Sequence, residues 1–490
     1  MSNDSLSTVA VIGGGISGLA AAHRLITAGA GEALTVTLIE EAPRLGGKVI
    51  TEHNDGFLLE GGPDSFVTGK GSVLELAAEL GITDRVISSR AEHRGAYVWS
   101  RGRLHPLPDG LLLMAPSRVW PVLRTSVLSV KGRLRVLGDL LLPRGPAGDQ
   151  SLEQFVARRL GREMLERIAE PLVAGIHSAE PSSMSLAASF PRFLDMERTH
   201  RSLILAARAA AAKAAASDSV TGRGFSYFAS FKDGMGELSD ALAKSLTGVA
   251  VKTGRGVTRL TRSNPGAGFR LTLDDGSEVQ ARGVVLATPA RETAALLSDV
   301  VPAASSLVAG IKQVATATVT LVYRASDVPG LTGSGFVVPA VERRRIMGAS
   351  YLSRKWMGRV PEPNFEMVRV FVGGSQGQEL AMSGEARLLA VAREELAGIL
   401  GLTADPVRAT TRAWAGGLHQ YTLGHVERMS DVESALSGYP ALKVAGAGFH
   451  GIGLNECVQS GRNAADAVLM ALSDRGSLRS PDLLVSGGAN

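Results

Sequence analysis

Three glycines spaced Gly13-x-Gly15-x-x-Gly18 stand at the end of the apolar run 8-TVAVIGGG-15 and at the head of 16-ISGLAAAHRLITAG-29. Strand, glycine turn and helix in that order are what a dinucleotide phosphate requires. Gly13 makes the tight turn, Gly15 lets a pyrophosphate approach the backbone, and Gly18 lets the helix lie against the strand. The helix N-terminus then offers unpaired amides and a favourable field to the phosphates. Glu40 ends the second apolar strand, 34-LTVTLIE-40, at the distance where a carboxylate accepts both ribose hydroxyls and disfavours a 2′-phosphate.

Directly after that strand comes 40-EEAPRLGGKVIT-51, in which Arg44, Gly46, Gly47 and Lys48 supply cations and open backbone along a cofactor longer than a plain nicotinamide nucleotide. The late stretch 446-GAGFHGIGLNECVQSG-461 repeats the glycine-turn-to-helix order. Its Gly446, Gly453 and Leu454 can lie against the ribityl and pyrimidine end, with a helix beginning near Asn455 presenting amides to the O2 region of a flavin. The combination points to FAD. Noncovalent attachment is expected, because no His or Cys occurs at the first glycine turn or in 59-LEGGPDSF-66; His450 and Cys457 of the terminal run are the only nearby alternatives. The apolar piece 58-LLEGGPDSF-66 ends in Gly61 and Gly62, which would leave room for something flat to pass.

These motifs need elements to hold them. At 490 residues the chain exceeds what one core usually serves, so two to four domains of about 100–200 residues are expected. Its two ends share one architecture, which predicts a doubly wound α/β cofactor domain built from discontinuous segments, 1–95, 225–275 and 405–475. A mainly helical insertion over 96–217 would form a cavity wall, and a mixed-sheet substrate domain would occupy 276–404. The polar piece 217-SDSVTGRG-224 marks the crossing out of the helical insertion. Within that insertion, 111–142 is apolar but interrupted by Arg118, Arg124, Lys131, Arg133, Arg135 and Asp139. It predicts a pair of helices over a core, with a shallow, reversible membrane contact as the alternative.

A formal charge of +5, from 52 basic and 47 acidic side chains, does not resemble a nucleic-acid coat. The single cysteine, Cys457, excludes an intramolecular disulfide and a cysteine-ligated metal cluster within one chain, and no metal is expected. No secretory leader is expected either, and a reducing, cytoplasmic setting is the natural reading.

The GxGxxG turn, Glu40, Arg44-x-Gly46-Gly47, Glu60-Gly61-Gly62-Pro63 and the terminal glycine run together resemble flavoproteins of the amine oxidase and phytoene desaturase type. More narrowly, 59-LEGGPDSF-66, 104-LHPLP-108, 150-QSLEQF-155, 170-EPLVAGIHSAEPSSMSLAASFP-191, 199-THRSLI-204 and 446-GAGFHGIGLNECVQSG-461 resemble the heme-pathway porphyrinogen oxidases. The resemblance implies hydride removal from a porphyrinogen by flavin N5, repeated in three two-electron steps, with dioxygen reoxidising the flavin and releasing hydrogen peroxide. It implies that Gly61 and Gly62 leave room for the flavin ring and substrate, and that Asp64 sits at the edge of a tetrapyrrole cavity. Gly175 would form cavity wall, His177 would touch substrate, the backbone of Val257 would meet the adenine, and Trp414 would lie beside the cofactor. Where the family has a proline before Gln-Tyr, this chain has His419. No side chain is assigned as a catalytic base.

Two porphyrinogens are in play. The membrane-bound protoporphyrinogen oxidases usually carry an Arg where alignment on 104-LHPLP-108 places Ala96, with Arg94 displaced by two residues on the same side of the strand. The missing anchor, with Asp64 in place of Asn, looks more like the soluble bacterial enzymes that oxidise coproporphyrinogen III. Its four propionates would draw on Lys48, Lys70, Arg94 and Arg345. Protoporphyrinogen IX is the alternative substrate. A ferrochelatase-type partner follows only from the product's need for a metal. A non-catalytic FAD scaffold would carry the same cofactor motifs. An amine oxidase would need an aromatic pair at the flavin, for which Tyr421 and Phe449 are the candidates.

Overall fold

The computed structural model describes residues 7–29, 34–221, 225–263, 268–374 and 377–473, with the side chains of 7, 174–176 and 214–221 excepted. Strand β1 (Ser7–Ile12) turns into helix α1 (Ile16–Ala28) and returns as β2 (Leu34–Glu40). These seed a five-stranded sheet in the order Ala250–Thr253, β2, β1, Gly283–Leu286, Leu442–Val444. Every pairing in it is parallel. Alternate residues of β1 feed two different cores, as a sheet covered on both faces demands. Val9 and Val11 join α1, Gly236–Ser245 and Leu454–Ser473. Ala10 and Ile12 join a three-stranded antiparallel sheet and the helices Ala290–Leu297, Pro302–Ala309 and His425–Leu436.

A seven-stranded mixed sheet forms the second layer system, in the order Arg408–His419, Gln313–Arg324, Phe365–Val372, Gly348–Tyr351, Gly335–Val337, Tyr97–Ser100, Arg103–Pro106. Its one parallel pairing joins Gly335–Val337 to Tyr97–Ser100. On Gln313–Arg324 the odd positions Ala317, Val319, Leu321 and Tyr323 pack with helix Glu385–Leu400. The even positions Thr316, Thr318 and Thr320 face the other way, toward the layer that contains strand Phe57–Glu60. The third core is helical and gathers Phe155, Ile168, Phe193 and Leu203.

Four boundaries differ from the expected division. Tyr97–Ser100 and Arg103–Pro106, placed with the helical insertion, are strands of the mixed sheet. The 275/276 limit cuts between the paired strands Phe269–Leu273 and Glu278–Ala281, and Gly283–Leu286 is a strand of the parallel sheet. Arg408–His419, placed with the cofactor segments, pairs with Gln313–Arg324 in the mixed sheet. Helix Leu203–Thr221 continues through the first part of the piece expected as a crossing, because the Ala-rich run is a strong helix former and no breaker precedes Gly222. Segment 111–142 forms a short hairpin and two helices, Val119–Arg124 and Val130–Leu137. No helix among the described residues is long and apolar enough to cross a membrane.

The two chain ends meet backbone to backbone. A β-carbon on Gly461 would lie 2.1 Å from the carbonyl oxygen of Ser17, so helix Leu454–Ser473 touches α1 without intervening side chain. Gly461→Ala is expected to lower stability by about 1–3 kcal/mol through forced separation of the two helices. Chemical denaturation followed by far-UV circular dichroism measures it; an unchanged midpoint would contradict the packing.

Candidate active site

The carboxyl ends of the parallel strands converge where ligands bind in such sheets. Gly13 has φ of 102°, and a β-carbon there would strike Ala287 O at 2.7 Å. A β-carbon on Gly18 would lie 1.8 Å from Gly13 O, so these two glycines serve the turn and the helix contact. Gly15 is different: the nearest atom to its β-carbon position is Gly47 Cα at 4.0 Å. The protein itself leaves that space open, which is the cradle a pyrophosphate needs above the free amides of α1.

Glu40 is held by two amides, Gly14 N at 2.5 Å and Ala42 N at 2.8 Å. Both carboxylate oxygens are thereby fixed, with lone pairs left for ribose hydroxyls. The segment that leads into Val257 runs alongside, because Arg255 N donates to Glu40 O (3.0 Å) and Gly254 N to Ala42 O (2.9 Å). Arg44 spends its guanidinium on Leu45 O (3.0 Å) and Gly47 O (2.6 Å), pinning the Gly46–Gly47 loop against Gly14 and Gly15. Lys48 is half-buried and donates to Gly416 O (2.9 Å) and Gly417 O (2.7 Å); burial lowers its pKa.

At Gly62 the fold itself supplies a reason for glycine besides the expected one. A β-carbon on Gly62 would meet Lys48 O at 1.7 Å, and one on Gly61 would meet Ile50 Cβ at 3.2 Å. Protein backbone forbids the side chain at Gly62. Trp414 Nε1 donates to Gly61 O at 3.2 Å, which ties the mixed sheet to this strand. In the terminal run, Gly446 has φ of 115° and its amide donates to Ser460 Oγ (3.1 Å). Gly453 precedes the helix that starts at Leu454, and its β-carbon position is taken by the Glu456 carboxylate at 2.3 Å. Asn455 clamps residues 66–73 to that helix, accepting from Val73 N (3.0 Å) and donating to Val67 O (2.8 Å). His419 closes the same region, its Nε2 taking Ala290 N (3.2 Å) and Gln313 (2.8 Å). The residues present therefore fit an FAD from the adenosine end at Glu40 to the turn at Gly446.

Asp64 does not stand free. Lys355 Nζ lies 3.2 Å from each of its oxygens, and Ser65 Oγ donates to it at 2.7 Å. Burial alone would raise this carboxyl, but Lys355 and Arg369 overcome it and hold the pKa at about 2. His177 is buried with its ring edge-on to Phe190 (5.1 Å), and burial, assisted by Lys70, pushes it down to about 4, so it is neutral. Gly175 lies among the residues whose surroundings are not described.

The proposed basic set largely dissolves. Arg345 is engaged by Glu394 and Glu395 of the Glu385–Leu400 helix, and Lys70 by Glu456. Arg94 is exposed, and the argument that it shares a side with Ala96 fails: Gly95, at φ of 105°, breaks the alternation, and the strand begins only at Tyr97. The aromatic pair fails as well. Tyr421 donates to Ala447 O (2.8 Å), accepts from Gly451 N (2.6 Å) and stacks on His425 (3.9 Å), while Phe449 is buried in a core.

Sequence reasoning missed Lys355, Arg369 and Arg412, three cations of the mixed-sheet layer. Lys355 pairs with Asp64, Arg369 is 2% exposed, and Arg412 pairs with Glu52 beside Gly61. One signal was available: in 365-FEMVRVFV-372, Arg369 falls on the inward register of Met367 and Phe371.

The family model for flavin containing amine oxidoreductases matches residues 16–469. The chain belongs to that family. It is 34% identical over 490 residues to coproporphyrinogen III oxidase of Propionibacterium freudenreichii, covering 94% of this chain and 90% of the relative. It is 32% identical over 484 residues to the protoporphyrinogen oxidase of Homo sapiens, covering 94% and 98%. A crystal structure from Exiguobacterium sp. 255-15, provisionally named a protoporphyrinogen oxidase, superposes with a TM-score of 0.83 at 28% identity over 96% of this chain and 100% of that one. The chain is accordingly a flavin-dependent oxidoreductase.

Gly15→Val is expected to abolish FAD binding while leaving the apoprotein folded, because no protein atom lies nearer than 4.0 Å to the first added carbon. Flavin absorbance after gel filtration and the circular dichroism of the same sample check both halves; stoichiometric FAD in the variant would refute the cradle. A second test concerns Glu170, the first residue of the helix carrying His177, which accepts from Ala340 N at 3.1 Å. Burial pushes its carboxyl up to about 7 from 4.5. The folded state then binds the proton more tightly than the unfolded chain, so stability falls as pH rises between those values and is flat above. Glu170→Gln should therefore raise the melting temperature at pH 8 and change it little at pH 4.5; the reverse pattern would refute the assignment.

Proposed function

We propose that the chain oxidises coproporphyrinogen III to coproporphyrin III, with three dioxygen molecules taking up six electrons and six protons as three hydrogen peroxide molecules. The observation that carries this reading is the cationic layer around Gly61–Asp64. Lys355, Arg359 and Arg369 stand there against Asp64 and Glu60, three cations to two carboxyls. A flat polycarboxylate complements such a wall, and a neutral or cationic amine does not. Relatives named for both porphyrinogens match nearly the whole chain, at 34% and 32% identity, so relatedness alone does not choose between them.

Bound FAD supplies the hydride acceptor and passes the electrons to dioxygen. The chain's own part is binding and positioning. Glu40 and the α1 amides hold the adenosine and phosphates, and the Trp414 bond to Gly61 O fixes the mixed sheet against the strand behind it. Neither His177 nor His419 serves as a charged group near neutrality, since burial holds both near 4. The FAD is noncovalent in this reading. Cys457 is buried and its thiol is pushed up to about 11 by burial, which makes it a poor nucleophile toward a flavin.

The second reading, protoporphyrinogen IX, draws on the exposed Trp120, Val130, Leu134 and Leu141 of the helical layer, which suit a reversible contact with a membrane that holds an apolar substrate. Side-by-side oxidation assays, started anaerobically and followed by porphyrin fluorescence after oxygen is admitted, decide between the two. The expected result is a higher kcat/KM for coproporphyrinogen III, because vinyl groups would leave buried cations unpaired. A clear preference for protoporphyrinogen IX would overturn the leading reading and leave the flavin fold standing.

A further inference from the structure

On the mixed sheet, Thr318 pairs with Phe371, Thr320 with Arg369 and Val322 with Met367, and directly paired residues share a face. Val322 and Met367 pack with Phe57 and Leu59, so this face looks toward the Phe57–Glu60 strand and the Gly61–Asp64 turn that follows it. Arg369 is thus a guanidinium set among Thr318, Thr320 and Phe371 on the wall opposite Gly61.

Its hydrogen bonding is incomplete. Nη2 donates to Thr318 Oγ1 at 3.2 Å, Nε has no partner, and among the described residues no carboxylate lies within ion-pair distance. The nearby acids are committed elsewhere: Asp64 to Lys355, and Glu60 to Thr51 Oγ1 (2.6 Å) and Met235 N (2.8 Å). A buried cation left this way is costly unless something anionic completes it. Arg359, the other buried guanidinium of the layer, makes a useful contrast, since it donates to Lys232 O, Ser230 Oγ and Phe231 O. The Nε of Arg359 is unpaired as well, but both of its Nη nitrogens are bonded to the fold, whereas Arg369 makes a single hydrogen bond, from Nη2. Half-buried Phe371 lies two residues along the same face, 5.7 Å from the Arg369 guanidinium, and offers an apolar surface for a flat ring beside the charge.

We infer that Arg369 is a specificity-determining residue of this site: its guanidinium receives one propionate of the tetrapyrrole deep in the layer while Phe371 lies against the macrocycle. This rests on the porphyrinogen reading and identifies which side chain recognises the carboxylates within it. The geometry suits bidentate carboxylate recognition, for which a lysine is a poor substitute. Asp64, held ionised by Lys355, gives the reverse selection and turns a second carboxylate away from its own position.

The test compares dissociation constants of coproporphyrin III and its tetramethyl ester, which share one macrocycle and differ in charge, by fluorescence titration of the FAD-loaded protein. The wild type should bind the acid more tightly than the ester. Arg369→Met should weaken the acid about tenfold to a hundredfold, the range for a lost hydrogen bond to a charged group, and change the ester less than about threefold. Equal weakening of acid and ester would show that Arg369 only supports the fold, and would overturn the inference. So would a wild type indifferent between the two. If Arg369→Met yields no folded flavoprotein, Arg369→Lys and Thr318→Val decide, with a selective loss for the acid expected from each and an unchanged acid-to-ester ratio overturning it. Wild-type turnover of coproporphyrinogen III is measured in parallel. Its absence counts against the porphyrinogen reading itself, while turnover with an unselective Arg369→Met counts against Arg369 alone.

Discussion

Close backbone contact at Gly62 sets the geometry on which the rest of the site depends. The Lys48 carbonyl oxygen occupies the place of a Gly62 β-carbon at 1.7 Å, and Gly61 N donates to Ile50 O at 2.8 Å. Two segments that follow different cofactor motifs are thereby locked side by side. Lys48 in turn reaches Gly416 and Gly417 of the mixed sheet, and Trp414 reaches back to Gly61. Parallel sheet, turn and mixed sheet form one closed circuit of hydrogen bonds, and a displacement of any one of them would leave buried donors or acceptors unpaired.

The electrostatics of the layer follow from that closure. Once the strand Phe57–Glu60 is pressed against the threonine face, Glu60 is buried and Asp64 keeps only 12% of its side chain exposed, so both rely on partners within the protein. Glu60 finds a hydroxyl and an amide, and burial raises its pKa; Asp64 finds an ammonium and stays ionised at about 2. Two carboxyls four residues apart in sequence thus shift in opposite directions, Glu60 upward because burial outweighs its partners and Asp64 downward because Lys355 and Arg369 outweigh burial. The surplus of positive charge comes from the mixed sheet and the segment around Lys355, not from the cofactor domain. On the proposed reading the tasks are separated: one sheet would hold the nucleotide, and the other would read charge on the substrate.

The cofactor half of the site was legible in the sequence because its signals are local. Gly13, Gly15, Gly18 and Glu40 lie within one βαβ unit, where spacing determines position, and the structure places Glu40 on Gly14 N and Gly15 beside open space. The substrate half was not legible in the same way. Asp64 and Lys355 are 291 residues apart, and nothing in either local stretch announces the pair. Arg94 looked suitable by alternation, but one left-handed glycine at 95 removed the premise. Arg345 looked free until helix Glu385–Leu400 placed two carboxylates on it. Domain limits suffered similarly: strand Gly283–Leu286 reads as one more β-run after a hairpin, and only its parallel pairing with β1 moves it to the other sheet.

The glycines of 61–62 show why residue type under-determines cause. A glycine beside a cofactor motif invites the inference that a ligand needs the room, yet at Gly62 the room is already filled by protein. At Gly15 the same residue type, φ region aside, has no neighbour closer than 4.0 Å. Both glycines follow an apolar strand, and the residue type alone does not say what fills the place of the missing side chain. They separate only when the surroundings of the missing β-carbon are known: contact with backbone means the fold requires glycine, and open space above a helix N-terminus means the ligand does. By that criterion the phosphate end of the site is shaped for its ligand directly, whereas the flavin and substrate end is shaped indirectly, through backbone contacts that bring the mixed sheet and its buried cations into register with the turn.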